Sequence, residues 1–275
     1  KDFEDIFNDP LSFNNLKLAM ISSNGDAEDK YNIIMFFIAN KRNYKAMEEY
    51  SQWRLIGSTH KEMTEEYTID IKNENQCVSN EQRRNDRART LLEKFSKAHV
   101  YNEIDSEAYK QLLRLNVIEY NRLNDNKGVK FDFSIWDNKS LEHIYPKSMF
   151  FHTVVNEETQ EIRYVRGDGA DISFDKTKDL RNSDTEFSNP SRYSEHCIGN
   201  LVLLYGKNNS EFSNLPFEDK KFKFFHNERK FESRNLLHTI SSFASSKWDI
   251  KEIESSADSF IERFKKDYNI QENNE

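Results

Sequence analysis

Two short stretches constrain the fold most: SLEHIYPKS at 140–148 and HCIGNLVLLYGKNNSEFSNLPFEDKK at 196–221. The first sets Glu142 directly before His143, with Ile144 and Pro146 following. In an extended segment neighbouring side chains point to opposite faces, so this pair addresses two sides of one reacting group. The second brings Asn200 after Gly199, then a short apolar run, then Asn209 where polar, helix-like text begins. A histidine titrates near neutral pH, a carboxylate beside it is a hard oxygen donor, and two amides can orient or complete a site.

With these residues in view, the sequence resembles an HNH nuclease of the ββα-metal (His-Me finger) superfamily. The signature is EHI-x-P, then GNL-x-LL, then N-x-x-x-x-N-x-P-F-x-x-K. More narrowly it is similar to the HNH-like C-terminal part of GmrSD-type modification-dependent restriction enzymes and related phage-defence proteins. The resemblance implies that Glu142 is a metal ligand, His143 the general base, Asn200 the residue that fixes the histidine loop, and Asn209 the second ligand. It also implies a phosphate contact for Lys220. It covers roughly 130–265, since Trp248, Ile253 and Arg263 fit the downstream pattern. Residues 1–125 match more loosely.

The chemistry implied is metal-assisted hydrolysis of a phosphodiester. His143 takes a proton from water while Asn200, or a backbone carbonyl, holds its ring in the working tautomer. Two oxygen ligands suit Mg²⁺ or Mn²⁺, hard ions that keep several waters and stabilise charge on the phosphate. His196, just before the motif, leaves two readings open, a contact to substrate phosphate or metal and a packing role. Lys207 is a further candidate for nucleic-acid contact. His152, His226 and His238 carry no motif and read as structural. The expected function is an endonuclease that nicks or cuts DNA as the effector of a bacterial defence system against foreign or modified DNA. The rivals are a catalytically silent binding or regulatory module and an RNA-cleaving toxin.

Three departures from the broader HNH pattern stand out. Asn209 replaces the last histidine, a long insertion at about 150–192 interrupts the hairpin, and no CxxC pair is present to hold a structural zinc. The first points to few protein ligands and an Mg²⁺-like ion. Two cysteines, Cys77 and Cys197, are too few for a disulfide framework, so a reducing cytoplasm is expected. No run reaches membrane-spanning length and no signal-peptide pattern occurs. No GxxxxGK[ST] occurs either; the resemblance implies a nucleotide-hydrolysing or sensor domain as an N-terminal partner outside these residues. The chain opens at Lys1 rather than Met and is read as a piece of a longer polypeptide.

The formal net charge of -8 runs against a nucleic-acid enzyme, but total charge says little about a local groove. The 81–99 segment carries six cations from Arg83 to Lys97 and reads first as a solvated helix face; 207–234 is mildly basic.

With only 7 Gly and 4 Pro, against 21 Phe, 12 Tyr and 3 Trp, the chain favours helices packed on large aromatic groups. The expected class is α+β and mostly helical, with a ββα-metal core. A helical scaffold at 1–125 precedes a nuclease domain at 126–275 with a helical tail. Helices are predicted at 11–23, over 30–56 as one or two, at 81–99, 106–123, 216–233, 235–246 and 250–268. The stretch 58–80 reads as a connection with a small β-like patch. A strand is predicted at 130–136 leading into the first motif, then a hairpin within 152–169 turning at 156–160, then an exposed loop through Ser191.

Overall fold

The computed structural model describes residues 2–23, 25–69, 77–226 and 231–271. The elements run α1 Asp2–Asn8, α2 Pro10–Ile21, α3 Ala27–Ala39, α4 Tyr44–Leu55, α5 His60–Thr64, β1 Tyr67–Ile69, β2 Cys77–Ser79, α6 Asn80–Phe95 and α7 Asp105–Asn126. After them come β3 Lys139–His143, β4 Phe150–Val155, β5 Ile162–Arg166, β6 Asp171–Ile172, α8 Phe174–Thr177, β7 Arg181–Asn182, α9 Ser183–Glu186 and β8 Leu201–Tyr205. Four helices follow: α10 Gly206–Phe212, α11 Phe217–His226, α12 Leu237–Phe243 and α13 Ile250–Asp267. The fold is thus α+β and mostly helical, as expected.

The chain divides into two compact units. The first comprises Lys1–Leu91, Lys110–Ser134 and Lys265–Glu275. Its helices start on local signals: Asp9 accepts from Ser12 N ahead of Pro10, and Asp26 and Asn43 cap α3 and α4 in the same way. The 30–56 stretch forms two helices because the backbone at Arg42 turns to a φ of 72°. Ile6, Leu16, Ala19, Ile33, Phe37, Met47 and Tyr50 make one apolar core. Buried Asn14 ties α2 to α7 and the residues that follow it, donating to Asn121 Oδ1 and Val129 O and accepting from Phe131 N. In 58–80, Thr59 and Glu62 form a capping box at α5, and β1 pairs with β2.

The strand predicted at 130–136 is not formed: Phe133–Trp136 is a 3₁₀ turn. Two hydrogen bonds, one local and one from a distant residue, remove the backbone groups a strand would use. Asp132 Oδ1 accepts from Ser134 N, an Asx turn, and Phe131 N is taken by Asn14. Strand structure begins only at Lys139.

The second unit comprises Leu92–Tyr109 and Ile135–Phe264. Its centre is a strand–strand–helix arrangement of β3, β8 and α10. The strands are antiparallel with Glu142 opposite Val202 and His143 opposite Leu201. All five residues of β8 are buried, which explains why LVLLY is continuously apolar. Phe212, Phe224, Phe231 and Phe243 pack together, with ring centroids 4.9 Å apart for Phe224–Phe243, 5.3 Å for Phe224–Phe231, 5.4 Å for Phe212–Phe243 and 5.5 Å for Phe212–Phe231.

Between β3 and β8 the predicted hairpin appears as β4 and β5, turning through 156–161, and lies in a four-stranded sheet of order β6-β5-β4-β7. The expected loop through Ser191 instead holds β6, α8, β7 and α9. Asn182 caps α9, and Asp184 Oδ2 accepts from Thr153 N, so polar residues that suggest a loop serve as local acceptors. The helix predicted at 216–233 is shorter, α11, with a 3₁₀ turn at Glu232–Asn235; residues 227–230 lie outside the described ones.

Gly199 fixes how closely the β8 lead-in approaches α13. A Cβ there would lie 2.1 Å from Ile253 O and 2.5 Å from Ala257 N, both helix backbone atoms. We expect Gly199→Ala to cost about 3 kcal/mol or more, read as a lower urea midpoint; an unchanged midpoint would mean α13 can yield.

Candidate active site

The site is built on β3. Because strand residues alternate, Ser140 and Glu142 share one face, and Leu141 and His143 the other. On the first face Glu142 is buried, 6% exposed, and Lys220 from α11 is at 1%. Lys220 Nζ lies 2.6 Å from Glu142 Oε1 and donates to His143 O at 2.6 Å. The Oε1 contact lacks hydrogen-bond alignment, so this buried oxygen has a counter-charge but no hydrogen bond. Burial pushes the Glu142 carboxyl up to about 7 against the pull of Lys220, and lowers the Lys220 ammonium in turn. Both charges are poorly solvated. Lys220 is therefore turned inward and offers no ammonium at the surface for a phosphate.

Asn209, on α10, adjoins the same face. Its Nδ2 donates to Ser140 Oγ and to Leu141 O, which leaves Oδ1 outside these bonds. Lys207, two residues earlier, is exposed.

On the other face His143 is 6% exposed. Burial, followed by the charges around it, holds the imidazole well below its ordinary pKa, so it is neutral. Its Nε2 meets His196 Nδ1 at 3.2 Å, and the Tyr101 ring packs edge-on at 4.4 Å between centroids. Asn200 does not touch the His143 ring, contrary to the expectation that it sets the tautomer. All of its amide is spent on the backbone. Oδ1 accepts from Tyr145 N, Nδ2 donates to Tyr145 O and Glu195 O, and Asn200 O accepts from Ile144 N. It holds the loop that follows His143, and His196 holds the ring.

His196 is itself anchored: its carbonyl accepts from Val100 N and Tyr101 N, and its N–H donates to Ser194 Oγ. Its Nε2 lies 3.7 Å from Glu195 Oε1. Burial lowers the ring to about 4, with Glu195 pulling the other way. Glu195 is fully buried, receiving His152 Nε2 at 2.8 Å and Ser183 Oγ at 2.7 Å. His152 Nδ1 meets Asp184 Oδ1 at 3.0 Å.

Sequence reasoning missed this second group. His152 reads as structural because its partners Asp184 and Glu195 lie far along the chain. Gly167 carried the one available signal: a Cβ there would sit 2.5 Å from Glu195 Oε1 and 2.3 Å from Lys147 O. Lys147 was also missed; it is half-buried with Nζ 4.6 Å from the Tyr101 ring centre, and its charge acts on Glu142, His143 and His196. The proline before it marks only a turn. Among the described residues no three His, Cys, Asp or Glu side chains gather into a metal-binding group, and no helix is long and apolar enough to cross a membrane.

His152 and Glu195 make a pH-dependent contribution to stability. The bond to Glu195 raises His152 to about 9, so its contribution is complete below 6.5 and fades as the pH rises to about 9. Burial raises Glu195, but His152 more than reverses this and leaves it below 4.5; that contribution is present above 4.5 and lost as the pH falls. His152→Gln should therefore cost most near pH 5–6.5 and least above pH 9. About 2 kcal/mol is expected, less than for a fully buried pair because His152 is 24% exposed. Thermal melts of both proteins across pH test this, and a constant difference would refute it.

Compared with known families, the chain matches the model described as GmrSD restriction endonucleases, C-terminal domain, over residues 69–263. Comparison with curated proteins and with solved structures gave no match.

Proposed function

The chain belongs to the family of GmrSD restriction endonuclease C-terminal domains, which makes it a nuclease domain, and from this premise we propose a metal-dependent endonuclease of HNH type that nicks or cuts DNA. The observation that carries the reading is a carboxylate and a neutral imidazole on opposite faces of one strand, next to a helix that presents an asparagine.

The donors fit a hard cation. Glu142 offers a buried carboxylate, its Oε1 facing the Lys220 ammonium at 2.6 Å without an aligned hydrogen bond, and Asn209 keeps a carbonyl oxygen outside its two donated bonds. Such a set suits Mg²⁺ or Mn²⁺, which bind through few protein oxygens and keep their waters. When bound, the ion would supply charge stabilisation at the phosphate and the leaving oxygen. In this reading His143 Nδ1 accepts a proton from water, the water oxygen bonds to phosphorus, and the bridging P–O bond breaks, its oxygen leaving with the electron pair and taking a proton from solvent. Asn200 keeps the backbone after His143 in place during this step. Lys147 takes the phosphate role that Lys220 cannot fill from its buried position, and exposed Lys207 contacts a flanking phosphate. DNA as substrate, a defence role and a nucleotide-hydrolysing or sensor partner extend the same proposal.

Conversion of supercoiled plasmid to nicked and linear forms, with Mg²⁺, Mn²⁺ or EDTA, tests it. Metal-dependent cleavage is expected, lowered about 10²–10⁴-fold in His143→Ala with folding intact. Asn209→Ala should need more Mg²⁺ for half-maximal rate. Cleavage in EDTA, or an unaltered rate in His143→Ala, would overturn the mechanism; an RNA substrate cut in preference would overturn the target. Lys147→Ala should raise KM for DNA, with a shallower salt dependence, because each phosphate contact releases counterions.

A further inference from the structure

Glu195, His196 and His143 lie in a row, the first gap bridged electrostatically and the second within hydrogen-bond reach. Glu195 Oε1 is 3.7 Å from His196 Nε2, and His196 Nδ1 is 3.2 Å from His143 Nε2. Each atom on this line lies at the end of a group fixed by other bonds. His152 and Ser183 hold the Glu195 carboxylate, and two backbone N–H groups hold the His196 carbonyl. Tyr101 covers both rings, edge-on to His143 and stacked on His196 at an interplanar angle of 15°.

We propose that Glu195 and His196 are positioning residues that set the tautomer of His143, a role that rests on the nuclease reading above. The order of protons follows from the acceptor at the far end. An ionised Glu195 favours the proton of neutral His196 on Nε2, which leaves Nδ1 as an acceptor. His143 must then donate from Nε2, so its Nδ1 carries the lone pair. A neutral imidazole has one donor and one acceptor nitrogen, so this choice fixes which nitrogen can take a proton from water. When Nδ1 takes it, the positive charge on His143 is stabilised through His196 by Glu195, which stays ionised. The logic is that of a carboxylate orienting a histidine base, with a second imidazole interposed. The insertion between β3 and β8 thereby contributes to the reaction, since His152 and Ser183 belong to it and hold Glu195.

The rival role for His196 is a direct contact to DNA phosphate. Nitrogen NMR of histidine side chains separates them without any activity. The wild type should show His143 protonated on Nε2, and His196→Ala should lose that preference. His196→Asn should retain it, because an amide oxygen can occupy the place of Nδ1. Glu195→Gln should shift the tautomers of both rings, and serves if His196→Ala does not fold. His143 protonated on Nδ1 in the wild type, or an unchanged ring in both variants, would overturn the proposal.

In plasmid nicking His196→Ala should lower kcat about 10–100-fold with KM within twofold, and His196→Asn should recover most of it. Adding His196→Ala to His143→Ala should cost nothing further. A raised KM with kcat unchanged would make His196 a phosphate contact and end the proposal. If the wild type cleaves no nucleic acid, the nuclease reading fails, and the NMR result still decides the role of His196.

Discussion

The site of this unit depends on the hydrogen bonds of Asn200. They join the start of β8 to the turn leaving β3, through both backbone groups of Tyr145 and the N–H of Ile144, and reach Glu195 O as well. The three side-chain bonds satisfy backbone groups the strand pairing does not reach, because the ladder ends at His143 and Leu201. Buried backbone groups left unpaired cost about 1–3 kcal/mol each, so one amide resolves several penalties at once. It also sets the chain between β3 and β8, where the two strands part and the inserted sheet begins. Gly199 lets this happen directly against the backbone of α13.

From that fixed point β3 carries two charge networks of opposite kind. Toward α11, Glu142 and Lys220 form a pair whose burial pushes both toward neutrality, a costly arrangement that adds little stability by itself. Toward the insertion, His143 is kept neutral by burial and by neighbouring cations, while His152 and Glu195 remain a charged pair two groups away. The strand separates a carboxylate face from an imidazole face, and each is held by residues outside the strand.

Part of this was legible in the sequence. Glu142, His143, Asn200 and Asn209 lie in short local patterns, and the helical segments follow from periodicity and caps such as Asp9 and Asn43. The misses have a common physical origin. Residues 130–136 alternate like a strand, yet Asn14 and Asp132 capture the backbone first, and only one of those two is local. His152 and Glu195 gain their meaning from a partnership 43 residues apart. Lys220 has the type of a phosphate ligand, but a motif cannot tell whether its ammonium points inward.

The acidic net charge is reconciled with an anionic substrate by how the cations near the strand are held. Lys147 lies over Tyr101, Arg181 over Tyr145 at 5.7 Å, and Lys139 over Trp136 at 4.0 Å. An aromatic face attracts a cation by about 0.5–2 kcal/mol without neutralising it, whereas a carboxylate cancels the charge. Arg163, Arg166 and Lys178, farther along the insertion, do pair with carboxylates. A cation seated on a ring keeps its field for an approaching phosphate and loses little side-chain freedom on binding it. Local potential beside β3 is thus decoupled from the total of -8, which sums the acidic excess over the whole chain.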